Sequence, residues 1–211
     1  MFNRAVDAES NLPRPGRGTP VSAPRDSTST DLLATVREFY QSASSWHGAG
    51  SASASDSDTI AAKALHLHAL NFDLWHHEEA VRRPGVSDQE VARRKRRIDD
   101  LNTRRNAAIE DIDLTLLERL DLNQSAPLYT ETPGTIVDRL SVLTLRILHT
   151  KQAESSGVRL AILDEQRADL LGGLEQLLAR VAAGQVRFKL YRQFKSAAPG
   201  NYCDLFERRD S

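Results

Sequence analysis

The sequence predicts an all-α fold, an antiparallel helical bundle of about five helices behind a disordered N-terminal tail. Three observations carry this expectation. Apolar residues recur three and four positions apart over long stretches, which places them on one face of a helix. Residues suited to capping stand directly before several of those stretches. No two segments alternate apolar and polar side chains as a pair of strands would, and no long-period repeat points to a solenoid.

Residues 1–30 contain Pro13, Pro15, Pro20, Pro24, Gly16 and Gly18 with scattered Ser and Thr. So little apolar surface cannot offset the entropy of ordering, and the segment reads as the disordered tail. Residues 31–58 read as a short helix and a Ser-rich linker. Leu32, Leu33, Val36, Phe39 and Tyr40 form one apolar face, whereas residues 42–57 carry seven Ser and the Gly48/Gly50 pair.

The bundle domain is expected over residues 59–205. Its first helix starts after Asp58 or Thr59, either of which can accept from the free amides of a first turn, and it runs to Pro84-Gly85. Ser87-Asp88-Gln89-Glu90 has the form of a capping box and opens a long helix, along which Ile98, Leu101, Ile109, Ile112 and Leu116 stay within a narrow arc. Residues 121–131 read as a loop. Thr132-Pro133-Gly134 then starts a helix that should reach about residue 155 and end at Gly157. The last long helix carries Leu160, Leu163, Leu170, Leu171, Leu174, Leu177 and Leu178 and stops at Gly184. Beyond it, Val186, Phe188 and Leu190 alternate like a strand while Leu190, Tyr191 and Phe194 suit a helix, and helix is the expected state.

Composition narrows the function classes. The 28 Lys and Arg balance 29 Asp and Glu, and the pI is about 6.6, so the chain lacks the charge footprint of a nucleic-acid or anionic-membrane binder. Arg93-Arg94-Lys95-Arg96-Arg97 spreads around most of a helix circumference and reads as a solvated face. One cysteine, Cys203, excludes an internal disulfide and a Cys-rich metal site. With no apolar run long enough for a membrane span and no signal-peptide pattern, the expected location is the cytoplasm.

The polar residues worth following gather on one helix. On a helical wheel Asn71, Trp75, Glu78 and Arg82 share a face, and a Trp in that row points the face inward. Inward Asn, Glu and Arg must satisfy one another or a ligand, so the row is either a structural hydrogen-bond network or the floor of a polar pocket. Arg105 falls within an apolar arc, with Glu78 or Asp138 as possible partners. The amides of Gly134 and Thr135, behind Thr132, could receive an anion, although simple capping explains the same residues. Arg139, Tyr191, Arg192 and Lys195 add cations and a ring suited to an anionic or sugar-linked ligand. His76 or His149 would carry a proton if there is chemistry, with Glu78 or Asp138 as partner. Asp73-Leu74-Trp75-His76 has a carboxylate-x-x-His spacing without a second copy, so neither a metal nor another cofactor is expected.

These residues also carry a resemblance. Asn71-Phe72-x-Leu74-Trp75-His76-x-Glu78 with Arg82, Lys95-Arg96-Arg97-Ile98-Asp99-x-Leu101-Asn102 with Arg105-Asn106, and Ile109-Glu110-x-Ile112-Asp113 are three of its signatures. The run from Glu131 to Ser141, His149, Glu165-Gln166-Arg167-x-Asp169-Leu170 and Tyr191-Arg192-Gln193-Phe194-Lys195 complete them. The chain resembles the bacterial domain of unknown function 4254 family over about residues 60–200. It departs at Glu79, where Asp is expected, and lacks residues between the last two long helices. The resemblance implies a helical cytoplasmic protein of the kind that accompanies glycosyltransferase and surface-polysaccharide or secondary-metabolite genes, and it implies no activity. The expected function is a site for an anionic or sugar-linked small molecule. The alternative is a non-catalytic helical scaffold in a biosynthetic assembly.

Overall fold

A computed structural model describes residues 27–50, 57–153 and 157–192. It contains five helices: α1 (Ser27–Ala49), α2 (Ile60–Val81), α3 (Asp88–Arg119), α4 (Pro133–Gln152) and α5 (Gly157–Ala182). Among the described residues there is no strand, only an isolated bridge between Leu128 and Arg187. No described helix is long and apolar enough to cross a membrane.

Local chemistry sets most helix starts. Thr59, Ser87 and Thr132 are extended N-caps whose hydroxyls accept from the amides of Ala62, Glu90 and Thr135. The capping box is half used: the Glu90 carboxylate binds Arg93 and Arg94 instead of reaching back to Ser87. Gly184, at φ +66°, ends α5 with bonds from its own amide to Val181 O and from Gln185 N to Arg180 O.

Three expected boundaries differ. α1 begins at Ser27, inside the stretch read as tail, and continues to Ala49, into the first part of the stretch read as linker. Ala43 and Trp46 are buried and prolong the face of Leu32, Val36 and Phe39, while Ser44 and Ser45 return their hydroxyls to carbonyls of the preceding turn. Tertiary burial overrides the low local content of large apolar residues. α4 stops at Gln152, and Gly157 starts α5 rather than ending α4. Residues 185–190 are not helical. Val186 and Phe188 point into the core, and Arg187 exchanges backbone bonds with Pro127 O and Tyr129 N, so pairing with the 121–131 loop wins. The rest of the tail, residues 51–56, Phe194, Lys195 and Cys203 lie outside the described residues.

α2, α3, α4 and α5 alternate in direction. Lys63 meets Asp111 and His77 meets Arg94 across α2 and α3, whereas Arg105 meets Asp138 across α3 and α4. α1 runs the same way as α2 and α4, since its contacts advance from Phe39 with His68 to His47 with His76. The core is built from Leu, Ile and Val of all five helices plus Phe39 and Phe188, and α4 is buried on most of its circumference.

Candidate functional site

A polar chain runs through the centre of the bundle. His68 is fully buried, stacks on Phe39 at 4.2 Å, and donates from Nε2 to the Phe39 carbonyl at 2.9 Å. That bond fixes the tautomer, so Nδ1 accepts from the Ser141 hydroxyl at 2.8 Å. Asn71 Nδ2 donates to Ser141 Oγ and to Asp138 Oδ1, both at 3.0 Å. Arg105 closes the chain with Nε on Asp138 Oδ1 at 2.7 Å and Nη2 on Oδ2. Four helices are thereby linked by groups that satisfy one another. Burial pushes the His68 imidazole down to about 4, which keeps it neutral in this chain.

The row read from α2 therefore divides. Asn71 is buried in the polar chain and Trp75 is half-buried, but Glu78 and Arg82 face solvent. Their side chains are 47% and 74% exposed and form an ordinary i,i+4 pair. In the last turn of α2 the core takes Ala80 and Val81, which leaves Glu78 and Arg82 on the opposite, solvent side, and Arg82 is already the C-cap. Arg105 takes Asp138, one of its two expected partners, with Glu78 acting on it only at longer range.

The start of α4 offers no free amides to an anion. Gly134 N donates to Asp113 Oδ1 at 2.7 Å, and Thr135 N donates to its own cap, Thr132 Oγ1. The chain supplies its own carboxylate, so the expectation of an anion held by Thr132, Gly134 and Thr135 is corrected. Burial raises Asp113 to about 6, against the opposing bonds from Thr132 and Gly134. Glycine is needed at 134 because α3 crosses there. A Cβ would stand 2.5 Å from the Ile109 carbonyl oxygen and 2.9 Å from Asp113 Oδ1. Gly134→Ala is expected to cost about 1–3 kcal/mol of stability in urea unfolding; an unchanged midpoint would mean that α3 and α4 separate there without cost.

Beside the polar chain, a cleft of about 670 Å³ opens between α3, α4, α5 and the loop before α4. Arg105, Asp138 and Arg139 line it, as expected site residues, together with Tyr129, Glu131, Arg146, Gln166 and Asp169. Arg139 is held by Glu131, and Arg105 by Asp138. Arg146 is exposed and has no hydrogen bond or ion pair among the described residues. Tyr129 reaches the rim because its amide is bonded to Arg187 O at 2.7 Å. Tyr191 and Arg192, expected to close over a ligand, do not line this cleft: both are exposed, and Lys189 lies over the Tyr191 ring.

The expected proton carriers lie elsewhere. His76 and His149 meet His47 and Trp75 where α1, α2 and α4 come together, about 16 Å along α4 from Asp138 at 1.5 Å per residue. Trp75 stacks on His149 with ring centroids 4.9 Å apart and planes within 2°. Burial pushes the His149 pKa down, with Glu79 opposing that shift. Neither histidine reaches Asp138 or Glu78, so the acid–base pairings expected from sequence do not form. Two residues fall outside the sites expected from sequence: His47, which lies in the stretch read as linker, and Arg146, which stands alone among apolar residues of α4. The one signal for His47 was the apolar spacing carried on by Ala43 and Trp46.

No curated protein and no solved structure matches this chain. A family profile described as a protein of unknown function, DUF4254, matches residues 61–190, which takes in α2, α3, α4, α5 and the polar chain between them. The chain belongs to the DUF4254 family.

Proposed function

We propose that the cleft between α3, α4 and α5 binds a small anionic, hydroxyl-rich molecule, such as a sugar phosphate or a nucleotide-linked sugar. The observation that carries this reading is Arg146, an unpaired guanidinium on the wall of a cleft whose other two guanidiniums are already neutralised. A guanidinium suits a phosphate or carboxylate through paired hydrogen bonds. Asp169 and Gln166 opposite it offer acceptors for sugar hydroxyls, and the Tyr129 ring at the rim offers a face for a sugar ring. Arg105 and Asp138, the end of the buried polar chain, form part of the cleft wall. The resemblance to proteins accompanying glycosyltransferase genes fits such a ligand, and a single cysteine fits a reducing, cytoplasmic setting.

The test is a melting series on the full chain with inorganic pyrophosphate and with UDP-glucose. A ligand at about 100 times its Kd stabilises by about 2.7 kcal/mol, which for a chain of this size raises Tm by about 5–10 °C. Arg146→Ala, at an exposed position, should leave the ligand-free Tm in place and abolish the rise. No rise with either compound, or the same rise in Arg146→Ala, would refute the reading. A scaffold role is favoured by a different observation, the exposed pair Val158 and Ile162 one turn apart on α5. That reading expects self-association or partner capture lost in Ile162→Glu and no response to the two ligands.

A further inference from the structure

We propose that His47, His76 and His149 form a binding site for a borderline divalent transition metal of the Zn2+ class. The three rings come from α1, α2 and α4 and stand in a nearly equilateral triangle, with centroids 5.2 Å apart for His47 and His76, 5.1 Å for His47 and His149, and 5.5 Å for His76 and His149. One ring nitrogen from each lies within 4.8 Å of the other two. The site is separate from the cleft, and the proposal stands whether or not the cleft binds a ligand.

Hydrogen bonding on the far side of two rings prepares them as ligands. His47 Nδ1 lies 3.0 Å from the Ala43 carbonyl and His76 Nδ1 lies 2.8 Å from the Phe72 carbonyl. A carbonyl only accepts, so both Nδ1 atoms carry the hydrogen and both Nε2 atoms carry a lone pair. Metal-bound histidines are oriented by this same kind of bond to a backbone carbonyl. His149 Nε2 is buried and has no hydrogen-bond partner, a condition that costs stability unless something else meets it. Stacking against Trp75 fixes the plane of the His149 ring.

Imidazole nitrogen selects zinc, copper or nickel over magnesium and calcium, which prefer oxygen. A tetrahedral zinc with nitrogens at about 2.0–2.1 Å needs them closer together than 4.8 Å. His47 supplies the adjustment, because it sits in the last turn of α1 and is exposed. The same exposure gives the ion a path in from solvent. Glu79, one turn beyond His76 and within electrostatic reach of His149, offsets part of the dication's charge. Three protein nitrogens leave a fourth position for water or an anion, the arrangement of an open zinc site.

The test uses the full chain without an affinity tag, stripped with a chelator, dialysed and titrated with Zn2+ and, separately, Co2+ in a calorimeter and a spectrometer. One equivalent of Zn2+ should bind in the micromolar range or tighter, Mg2+ should give no heat, and Co2+ should develop visible d–d absorption. His47→Ala, at an exposed position whose ring touches the core only at the edge of Phe72, should weaken Zn2+ by about 100-fold or more. His149→Gln should do the same and remove the cobalt spectrum, while His66→Ala should change neither. Wild-type affinity in both His47→Ala and His149→Gln would overturn the proposal, and so would wild-type protein that takes up no Zn2+ at micromolar concentrations.

Discussion

Arg105→Met is expected to lower the unfolding free energy by about 3–5 kcal/mol, because it strands a buried carboxylate. The Asp138 side chain is only 9% exposed, and Arg105 covers both of its oxygens. With the guanidinium gone, one amide hydrogen bond from Asn71 is all that remains to the Asp138 side chain among the described residues. The double variant Arg105→Met/Asp138→Leu should regain most of the loss, since replacing both partners removes the desolvated charge altogether. Urea unfolding of the two single variants and the double variant gives the coupling energy directly. A loss below about 1 kcal/mol in Arg105→Met would show a solvent-screened pair rather than the wall of the cleft.

Acidification is expected to act on the fold through two buried groups that oppose each other. His68 has a folded pKa of about 4, below the 6.5 of an unperturbed imidazole, so its contribution is fully present above pH 6.5 and is lost as pH falls through 4. Asp113 has a folded pKa of about 6, above the unperturbed 3.8, so its contribution is fully present below pH 3.8 and is lost as pH rises through 6. Each shift is worth about 3 kcal/mol at 1.36 kcal/mol per unit. In the wild type the two largely cancel between pH 6 and 4. Asp113→Asn keeps an acceptor for the Gly134 amide and removes the titration, so it should expose a steep loss on acidification. His68→Gln keeps a donor to the Phe39 carbonyl and should show the reverse, a gain. Unfolding at pH 4, 5, 6 and 7 checks both; variant curves parallel to the wild type would mean that neither group carries the shift.

These residues also mark how far the sequence could be read. Thr59, Ser87 and Thr132 announce their helices because a cap is a bond between residues two or three apart. Arg105 was legible as a misplaced charge, and the fold had only to choose Asp138 over Glu78. Asp113 was visible as one more acid on α3, yet nothing in the chain says that it occupies the amide of Gly134 twenty-one residues later. The three histidines are still less legible, since 29 and 73 residues separate them and no local spacing joins them.

The sequence by itself determined that the chain is helical, where most helices begin, and which polar residues would be hard to bury, because caps and periodicity are short-range properties of the backbone. The tertiary structure alone decided that α1 outruns its linker-like composition, that Glu78 and Arg82 stay in water, and that Arg146 faces a cleft. It also decided that His47, His76 and His149 share one corner. Each of these depends on how helices distant in sequence pack, and burial against a neighbour outweighs the local preferences that a linear reading can weigh.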